Sequence, residues 1–411
     1  MSLQSAAKLA SRPSREEILS RLPEIAADIA KGAAKRELDR ELPFEVFRKL
    51  RLTGLTYLRV PTVLGGPGGS LSDQVEVTCA LAAADSNVAH ALRGHFGFLE
   101  SMALDPHSPS SQQYAGEVLN GKLFGGAHME INTPRPNMIR TRLVKAGDKF
   151  RLTGKKYYAT GAAYSDYTSF SALDEEGELT GVLVPADRKG VDILDDWDGM
   201  GQRLTASGGV DLNDVEILPE EVGARRGFGG GNPFMRRHQA TRAQLHLAAV
   251  ICGIVRNVQS DAISYVQTKA RSAKHSASET ARGDHFVQNV VGEISAASYT
   301  IDTLISDTAR ILDVAAAGIL AGAPNLDELV LRGQLANSKA QIMIGKLAVR
   351  AAEQIFDTGG GSATSRKYNY DRHWRNIRTI LNHNPLLLKG RVIGDYYLNG
   401  VRDDFDEGRV F

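Results

Sequence analysis

The residues best suited to chemistry lie in one stretch near the C-terminus, residues 372–385, which holds three arginines and two histidines within fourteen residues. Guanidinium groups bind oxyanions, and an imidazole of ordinary pKa, about 6.5, exchanges a proton near neutral pH. A stretch this polar, at the end of a helical region and just after a glycine turn at 359–361, is not expected to be core. We therefore predict that it forms the floor of a site for an anionic, aromatic ligand, with His383 closest to the chemistry.

The composition is that of a globular protein with no bias toward nucleic acids or membranes. The chain has 411 residues, enough for two or three domains, and its 49 basic and 48 acidic residues leave a net charge of +1. A nucleic-acid or membrane-surface protein would show a basic excess. We find no apolar run of about eighteen residues and no apolar signal core, so we expect a cytoplasmic protein that is not membrane-bound. The two cysteines, Cys79 and Cys252, are expected to be buried free thiols, and no metal site is predicted.

The hydrophobic periodicity changes twice along the chain. It is helical up to about residue 122, has a period of two over the next hundred residues, and then becomes helical again over long segments. We predict an α+β chain with an N-terminal α-helical domain (1–122), a middle domain that is a small antiparallel β-barrel or sandwich (123–225), and a C-terminal four-helix bundle (226–411). A glycine-rich run, 227–232, is interpreted as the junction before the bundle. The predicted helices include 14–33, 71–84, 86–104, 239–271, 283–321, 325–357 and 385–399.

Several motifs, in their order along the chain, resemble the acyl-CoA dehydrogenase superfamily. They are the strand 154–161, the stretch 196–217 that ends the β domain, Arg271 at a helix end, and the glycine turn 359–361. Each motif alone has low specificity, but the ordered set covers roughly residues 15–400. The resemblance implies the fold predicted above and a flavin cofactor.

One position separates the branches of this superfamily. Acyl-CoA dehydrogenases usually carry a glutamate in a Tyr-Glu-Gly-Thr segment, and its carboxylate removes the substrate α-proton. The matching segment here is Leu-Asn-His-Asn-Pro at 381–385, and the amide of Asn384 cannot act as that base. The segment instead resembles the reduced-flavin-dependent (two-component, group D) monooxygenases of this fold, the branch that contains dibenzothiophene and alkanesulfinate monooxygenases.

The resemblance implies a catalytic set of His95, His383 and Asn384. His95 matches a histidine on an N-terminal helix near the flavin ring, and His383 matches a second one. In this branch, reduced flavin and O2 form a C4a-peroxide that needs a proton to become the C4a-hydroperoxyflavin. An imidazole can supply that proton and hold the distal oxygen by a hydrogen bond.

Further positions match residues that contact the cofactor. Tyr157 matches the aromatic residue beside the flavin, and Trp197 is interpreted either as stacking near the ring or as core. Ala159 departs from the serine of close relatives, which leaves its backbone N–H for the flavin and Thr160 or Ser165 as substitute hydroxyls. The full predicted cofactor set is Asn132, Thr133, Tyr157, Ala159, Thr160, Trp197, Arg271, Lys274, Ser362 and Arg378.

The polar members of this set divide by the part of the cofactor they would bind. Asn132 and Thr133 lie in a loop stiffened by prolines and match contacts to the isoalloxazine edge. Arg271, Lys274 and Ser362 are candidates for the phosphate. Arg271 would reach the flavin of a neighbouring subunit, so the resemblance implies an oligomer, typically a homotetramer.

The resemblance implies the oxygenase component of a two-component flavin-dependent monooxygenase that acts on a small organosulfur or heteroaromatic substrate. It would use O2 and FMN, reduced by a separate NAD(P)H-dependent flavin reductase, with FAD as an alternative. Other functions stay open: an N-oxygenase or aromatic hydroxylase on the same fold, an FAD-dependent acyl-CoA dehydrogenase with Glu130 as a relocated base, or a catalytically silent flavin-fold binding protein.

Overall fold

The chain folds into a helical region, a sheet and a second helical region, as predicted. The computed structural model describes residues 12–135, 138–225 and 231–406, so part of the predicted junction lies outside the described residues. The helices before the sheet are α1 (Arg15–Ser20), α2 (Leu22–Ala30), α3 (Ala33–Asp39), α4 (Phe44–Leu50), α5 (Leu71–Ala84), α6 (Ser86–Ala91), α7 (Arg93–Leu104) and α8 (Pro109–Leu119). The strands are β1 (Phe124–Ala127), β2 (Arg142–Ala146), β3 (Lys149–Lys156), β4 (Tyr167–Leu173), β5 (Leu179–Pro185), β6 (Val191–Ile193), β7 (Val210–Ile217) and β8 (Val222–Arg225). The helices after the sheet are α9 (Pro233–Thr268), α10 (His285–Ala321), α11 (Leu326–Gln354), α12 (Asp371–Leu381), α13 (Leu386–Asn399) and α14 (Asp403–Asp406).

The first predicted helix is divided into α1 and α2. Ser14 accepts a hydrogen bond from the N–H of Glu17, and the Glu17 carboxylate accepts one from the N–H of Ser14, so the capping box is present. The prediction of one helix over 14–33 is wrong, because Pro23 lies in the first turn of α2. Proline has no N–H to donate to the preceding turn, and a helix usually restarts rather than continues there.

The predicted helix over 86–104 likewise divides, into α6 and α7, at Leu92. Asp85 caps α6 by accepting from the N–H of Asn87, at 3.1 Å. The division matters for the site because α6 carries His90 and α7 carries His95. The orientations of His90 and His95 are therefore set by two separate helices.

The strands form one eight-stranded sheet in the order β6-β7-β3-β2-β4-β5-β8, with β1 paired to β4. Burial alternates along β4 and β5, which confirms the predicted period of two. Most strand pairs are antiparallel, as predicted, but β4 runs parallel to β1 and, at one residue pair, to β2. β1 also passes close to the start of α7, since a Cβ on Gly94 would lie 3.3 Å from the backbone nitrogen of Gly126. This approach brings the edge of the sheet against the N-terminal helices.

The stretch 372–385 is mainly helical, which the sequence analysis did not predict. α12 buries His373, Asn376, Ile377 and Ile380, so the prediction that the stretch is not core is wrong for this face of the helix. The helix ends at Leu381, and His383 lies in the turn before α13. α12 thus joins the core along its length and presents the predicted chemistry only at its C-terminal end.

The two helical regions share one hydrophobic core, while the sheet has its own. Leu81 of α5 belongs to the same cluster as Val250 of α9 and Ile305 of α10, and Leu152 and Phe170 belong to the separate cluster inside the sheet. α9, α10, α11 and the shorter α13 form the predicted bundle, to which α5 adds by packing on α9. Within the described ranges, we find no helix with the length and apolar content needed to span a bilayer.

Candidate active site

His383 lies at the C-terminal end of α12 with its imidazole against Arg93, the first residue of α7. Arg93 Nη1 is 3.4 Å from His383 Nε2. Because a guanidinium only donates hydrogen bonds, Nε2 accepts and the proton of the neutral ring lies on Nδ1. The His383 side chain is exposed, yet desolvation, Arg93 and His90 lower its pKa to about 3, against a hydrogen bond with Asn384 that raises it. Solvent contact combined with strong desolvation describes the wall of a cleft.

The low pKa of His383 corrects one part of the predicted chemistry. At neutral pH the ring is neutral, so His383 is not the ready proton source that an imidazole of ordinary pKa would be. It still donates a hydrogen bond through Nδ1–H, and it gains a proton more easily when a negative charge lies beside it. The geometry therefore supports a hydrogen-bonding role for His383, with protonation linked to the arrival of an anion.

Arg93 is the centre of the cleft and was not among the predicted site residues. Its charge contributes to lowering the pKa of His90 and of His128, each to about 4, with burial as the largest cause for both. His90 Nδ1 is 3.0 Å from Gln202 Oε1, and His128 follows β1 at the sheet edge. A signal was present in the sequence: His90 and Arg93 are three residues apart in a helical segment and so fall near one face.

His95 does not face this cleft, and its predicted catalytic role is not supported by the geometry. Its Nδ1 accepts from the N–H of Phe124 at 3.2 Å, so its Nε2–H donates to the carbonyl of Thr56, at 2.5 Å. The side chain is 2% exposed, and burial lowers its pKa to about 4. Both ring nitrogens are used by backbone groups, so His95 joins α7 to β1 and to the segment before α5.

Glu130, the one carboxylate proposed as a relocated base, is fully engaged in holding its own loop. It accepts from Lys156 Nζ at 2.7 Å, from the N–H of Arg140 at 2.8 Å, and from the hydroxyl and N–H of Thr141 at 2.7 and 3.0 Å. Lys156 and these hydrogen bonds lower its pKa, although burial, the largest single cause, raises it. A carboxylate with a lowered pKa and all these donors is a poor proton acceptor, which disfavours the dehydrogenase alternative.

An aromatic surface lies beside the cleft on the sheet side. Tyr157 forms an edge-to-face pair with Tyr158 at 5.1 Å, and Tyr158 forms one with Trp197 at 6.2 Å. Trp197 Nε1 donates to the carbonyl of Gln202 at 2.9 Å, and its half-buried ring packs against Gly199. Tyr158 is 54% exposed. Both predicted aromatic residues are thus in one cluster, and Tyr158, which the prediction omitted, has the most open ring face.

The predicted role of the Ala159 backbone is not supported. Its N–H donates to the carbonyl of Gly208 at 3.1 Å, and the residue is fully buried in the core of the sheet. The Thr160 and Ser207 hydroxyls are 2.7 Å apart, as are those of Ser207 and Thr205, and Thr205 donates to the carbonyl of Gln202. With one proton on each hydroxyl, Ser207 must donate to Thr205, and Thr160 to Ser207. Thr160 is therefore left as an acceptor for an N–H group of a ligand.

Left-handed backbone is concentrated on this surface. Seven non-glycine residues in the described ranges have positive φ, and four of them are Asn132, Tyr158, Gln202 and Ala206, with φ between 48° and 62°. Such a conformation costs a non-glycine residue about 1–3 kcal/mol and is typical of functional sites. Asn132 is exposed, whereas the hydroxyl of Thr133 donates to the carbonyl of Arg135 at 3.0 Å. Of these two predicted loop residues, Asn132 is the one free to meet a ligand.

A buried polar network holds the segment 197–209 against α12. Asn376 Oδ1 accepts from the N–H of Gln202 at 2.6 Å, and its Nδ2 donates to Ser86 Oγ at 3.2 Å. Gln202 Nε2 also donates to Ser86 Oγ, at 3.1 Å, and Gln202 Oε1 contacts His90. Gln202 thus links α6, α12 and the aromatic surface.

Replacing Asn376 by alanine is expected to lower the free energy of unfolding by about 1–3 kcal/mol, because it leaves the N–H of Gln202 buried without its acceptor. Urea denaturation of the purified protein measures this. The matched control is Thr379→Ala on the same helix, since that hydroxyl donates only to the carbonyl of Arg375 in its own helix, at 2.9 Å; we expect a change of about 0.5 kcal/mol or less. Equal losses in the two variants would contradict the role given to the network.

The predicted phosphate-binding residues belong to segments other than those that form the cleft and the aromatic surface. Arg271 and Lys274 are exposed between α9 and α10, and Ser362 is exposed in the turn before α12. Arg271 acts electrostatically on Tyr265, whose ring packs so closely on Gly359 that a Cβ there would lie 2.0 Å from it. The loop and the glycine turn therefore meet, but no described hydrogen bond or ring contact joins them to the aromatic surface. Arg378 bonds Asn382 at 3.3 Å, on the exposed side of α12.

The residues present fit a flavin. A flat conjugated ring is bound by apolar and aromatic walls with a few polar groups at its edge. The open face of Tyr158 and the acceptor hydroxyl of nearby Thr160 provide these, and the exposed Asn132 lies in the loop that follows the Met129–Tyr157 bridge. The cleft at Arg93 and His383 adjoins this surface through Gln202 and His90.

Comparison with known proteins gives the class of the chain. The N-terminal, middle and C-terminal domain models of acyl-CoA dehydrogenase match residues 14–113, 135–215 and 245–386. The matches follow the family order and together span most of the chain. The chain belongs to the acyl-CoA dehydrogenase family, as its motifs predicted.

Several of the proteins to which it is similar are named as monooxygenases. The chain is 29% identical to the "Probable FMNH2-dependent monooxygenase SfnC" of Pseudomonas putida, over 92% of this chain and 94% of that protein. It is 26% identical to a dibenzothiophene monooxygenase of Rhodococcus erythropolis, over 85% of this chain and 86% of that protein. The crystal structure of methanesulfinate monooxygenase MsuC from Pseudomonas fluorescens superposes with a TM-score of 0.82 at 29% identity, over 93% of this chain and 97% of that chain. The predicted resemblance to the reduced-flavin-dependent branch is confirmed.

Proposed function

We propose that this protein is the oxygenase component of a two-component monooxygenase, which uses reduced FMN and O2 to oxygenate a small organosulfur or heteroaromatic substrate. The observation that carries the proposal is the chemistry at the end of α12. Where a dehydrogenase needs a carboxylate base, this chain has His383 and Asn384 with Arg93 beside them. An imidazole and a guanidinium stabilise negative charge, whereas α-proton abstraction requires a base.

Separate residues bind the flavin ring and contact the reacting oxygen. Tyr157, Tyr158 and Trp197 bind the ring, with Thr160 and Asn132 at its polar edge. Asn384 accepts the Nδ1–H of His383 before the substrate binds, and the same N–H then donates to the reacting oxygen. When bound, reduced FMN supplies the electrons that activate O2.

The proposal includes an oligomer, a homotetramer as in the predicted resemblance. Large apolar side chains are exposed on α10 and α13, among them Phe286 at 85%, Tyr299 at 74%, Leu387 at 90% and Leu398 at 84%. Exposed apolar faces of this kind mark protein interfaces. Arg271, Lys274 and Ser362 would then bind the phosphate of a flavin whose ring lies on the neighbouring subunit.

The proposed partner is an NAD(P)H-dependent flavin reductase that delivers reduced FMN by diffusion. Since the reductase draws on a cytoplasmic coenzyme, the proposal places this protein in the cytoplasm. FMN is preferred to FAD because the relative SfnC is named for FMNH2.

The proposal predicts that the purified protein is colourless and forms product only with a flavin reductase, NADH and FMN. The measurement is a product screen by mass spectrometry with sulfides, sulfones, sulfinates, phenols and amines, and the control omits the reductase. Oxygenated phenols or amines alone would select the hydroxylase or N-oxygenase alternative. A tightly bound yellow FAD that bleaches on addition of an acyl-CoA would overturn the proposal in favour of a dehydrogenase.

A further inference from the structure

Two guanidinium groups in the cleft have no carboxylate partner. Arg93 Nε donates to the carbonyl of Ala243 at 3.3 Å, and its Nη1 contacts His383. Arg242 of α9 lies behind Arg93 and donates to its carbonyl at 3.4 Å. Arg242 is 4% exposed, and its Nε is buried with no hydrogen-bond partner. Among the described ion pairs and hydrogen bonds, none joins either guanidinium to an acid.

Three other largely covered arginines in the described part of the chain are paired with acids. Arg59 Nε donates to Glu100 at 2.8 Å, Arg237 Nη1 to Asp327 at 2.7 Å, and Arg375 Nη1 to Glu37 at 2.7 Å. Burying an unpaired charge is costly, so such pairing is the rule. Arg93 and Arg242 differ from these three, and they lie together at the cleft that carries His383. A missing anion at this place would explain both.

The surroundings of the pair contain further basic groups but no free acid. Burial lowers the pKa of Arg93 and of Arg242 to about 10, so both stay charged at neutral pH. His90, His246 and His383 surround them and are neutral because their pKa values are lowered. Glu100 raises the pKa of Arg242, but its oxygens accept from Arg59 and from His238 Nε2. The cleft therefore keeps an uncompensated positive charge.

We propose that Arg93 binds an anionic group of the substrate, a sulfinate, sulfonate or carboxylate, with Arg242 adding positive charge from behind. This inference names the substrate class of the monooxygenase proposed above and rests on that proposal for the reaction that follows. Arg93 makes the direct contact because its side chain is half-buried, whereas Arg242 is almost fully covered. The contact between Arg93 and His383 places the bound oxyanion next to the imidazole. A neutral aromatic substrate would leave both charges without a partner.

The test is binding, measured by isothermal titration calorimetry on the full-length protein with and without FMN. The probes are methanesulfinate, methanesulfonate and acetate, with dimethyl sulfone and acetamide as neutral counterparts. Arg93→Met is expected to weaken binding of the anions about 10- to 100-fold, as for loss of a charge-assisted hydrogen bond, and to leave the neutral probes unchanged. Arg93→Lys should recover part of the affinity, and Arg242→Met should cost less than Arg93→Met. The matched control is Arg48→Met, an exposed arginine of α4 paired with Glu45.

The outcomes test anion binding by Arg93 independently of the proposed oxygenation reaction. Neutral probes that bind wild-type protein as tightly as the anions, or anions that bind Arg93→Met unchanged, would overturn it even if the protein is an active monooxygenase. Equal loss of FMN and anion affinity in Arg93→Met would assign the pair to the cofactor phosphate and would also overturn it. Selective loss of the anions supports it even if no oxygenated product is found. Thermal unfolding checks the fold, and we expect no loss of stability, because Arg93→Met removes an unpaired charge.

Discussion

Replacing His383 by alanine is expected to lower product formation about 10²- to 10⁴-fold, the usual contribution of a positioned acid–base or hydrogen-bonding group. The ring lies at the open end of α12, with Nε2 accepting from Arg93 and Nδ1–H donating to Asn384 until a ligand oxygen replaces that acceptor. Since the aromatic surface is built from other segments, binding of FMN should change by about twofold or less. The measurement is product formed per reduced flavin, together with FMN binding by fluorescence quenching.

A matched control separates the role of His383 from a general effect of losing an imidazole. His107→Ala removes an exposed histidine in the loop before α8 and is expected to leave product formation unchanged. In His383→Ala, NADH and O2 should still be consumed with the reductase, but hydrogen peroxide should replace the oxygenated product. Normal product yield in His383→Ala would refute the role assigned to this residue.

The stability of the protein is expected to fall steeply as the pH drops from about 6.5 toward 4. His90, His95, His246 and His373 are buried, with exposures of 7, 2, 4 and 2%. Burial lowers the pKa of the first two and of His373 to about 4, and that of His246 well below its ordinary value. The unfolded chain takes up these protons near pH 6.5 and the folded chain does not. The folded state is therefore fully favoured above pH 6.5 and loses stability below it.

The expected slope is about 5 kcal/mol per pH unit if all four histidines stay neutral, since each proton contributes about 1.36 kcal/mol per unit. Urea denaturation at pH 7.5, 6.5, 5.5 and 5.0 measures it. His90→Gln should reduce the slope by about 1.4 kcal/mol per pH unit, the contribution of one proton. The lowered pKa of the buried Glu100 acts only below about pH 4.5, so it does not contribute in this window. A free energy of unfolding that is flat between pH 7.5 and 5 would contradict the prediction.

The hydrophobic pattern within each segment was sufficient to predict the sheet and several helices. The alternation at 210–217 is β7, and α5 has the predicted bounds 71–84, because burial on one side of a regular element repeats with that element's own period. The helix divisions at Arg21 and Leu92 were missed. At Leu92 no proline or glycine marks the change, and only packing against the rest of the molecule selects it.

The same packing explains why the site was only partly predicted. Arg93 and His95 are two residues apart on one helix and so point about 200° apart around its axis. Both residue types can bind a ligand, and the prediction from sequence chose the histidine. Which face of α7 meets the cleft depends on β1, because the N–H of Phe124 in β1 donates to Nδ1 of His95. Likewise, the polar residues of α12 resemble a binding surface, yet His373 bonds Asp261 at 2.8 Å and Arg375 bonds Glu37. Those partners are more than a hundred residues away in sequence.

The core shared by α5, α9 and α10 carries a consequence for how such a chain evolves. The helices that precede the sheet in sequence and those that follow it pack against one another, whereas the sheet encloses a core of its own. The hydrophobic clusters therefore group the two helical regions into one unit, which the sheet interrupts in sequence. Exchange of the whole segment between about residues 123 and 225 would be tolerated, because it leaves the shared helical core from one parent. A crossover within the helical unit would instead combine halves of a core that had not been selected together.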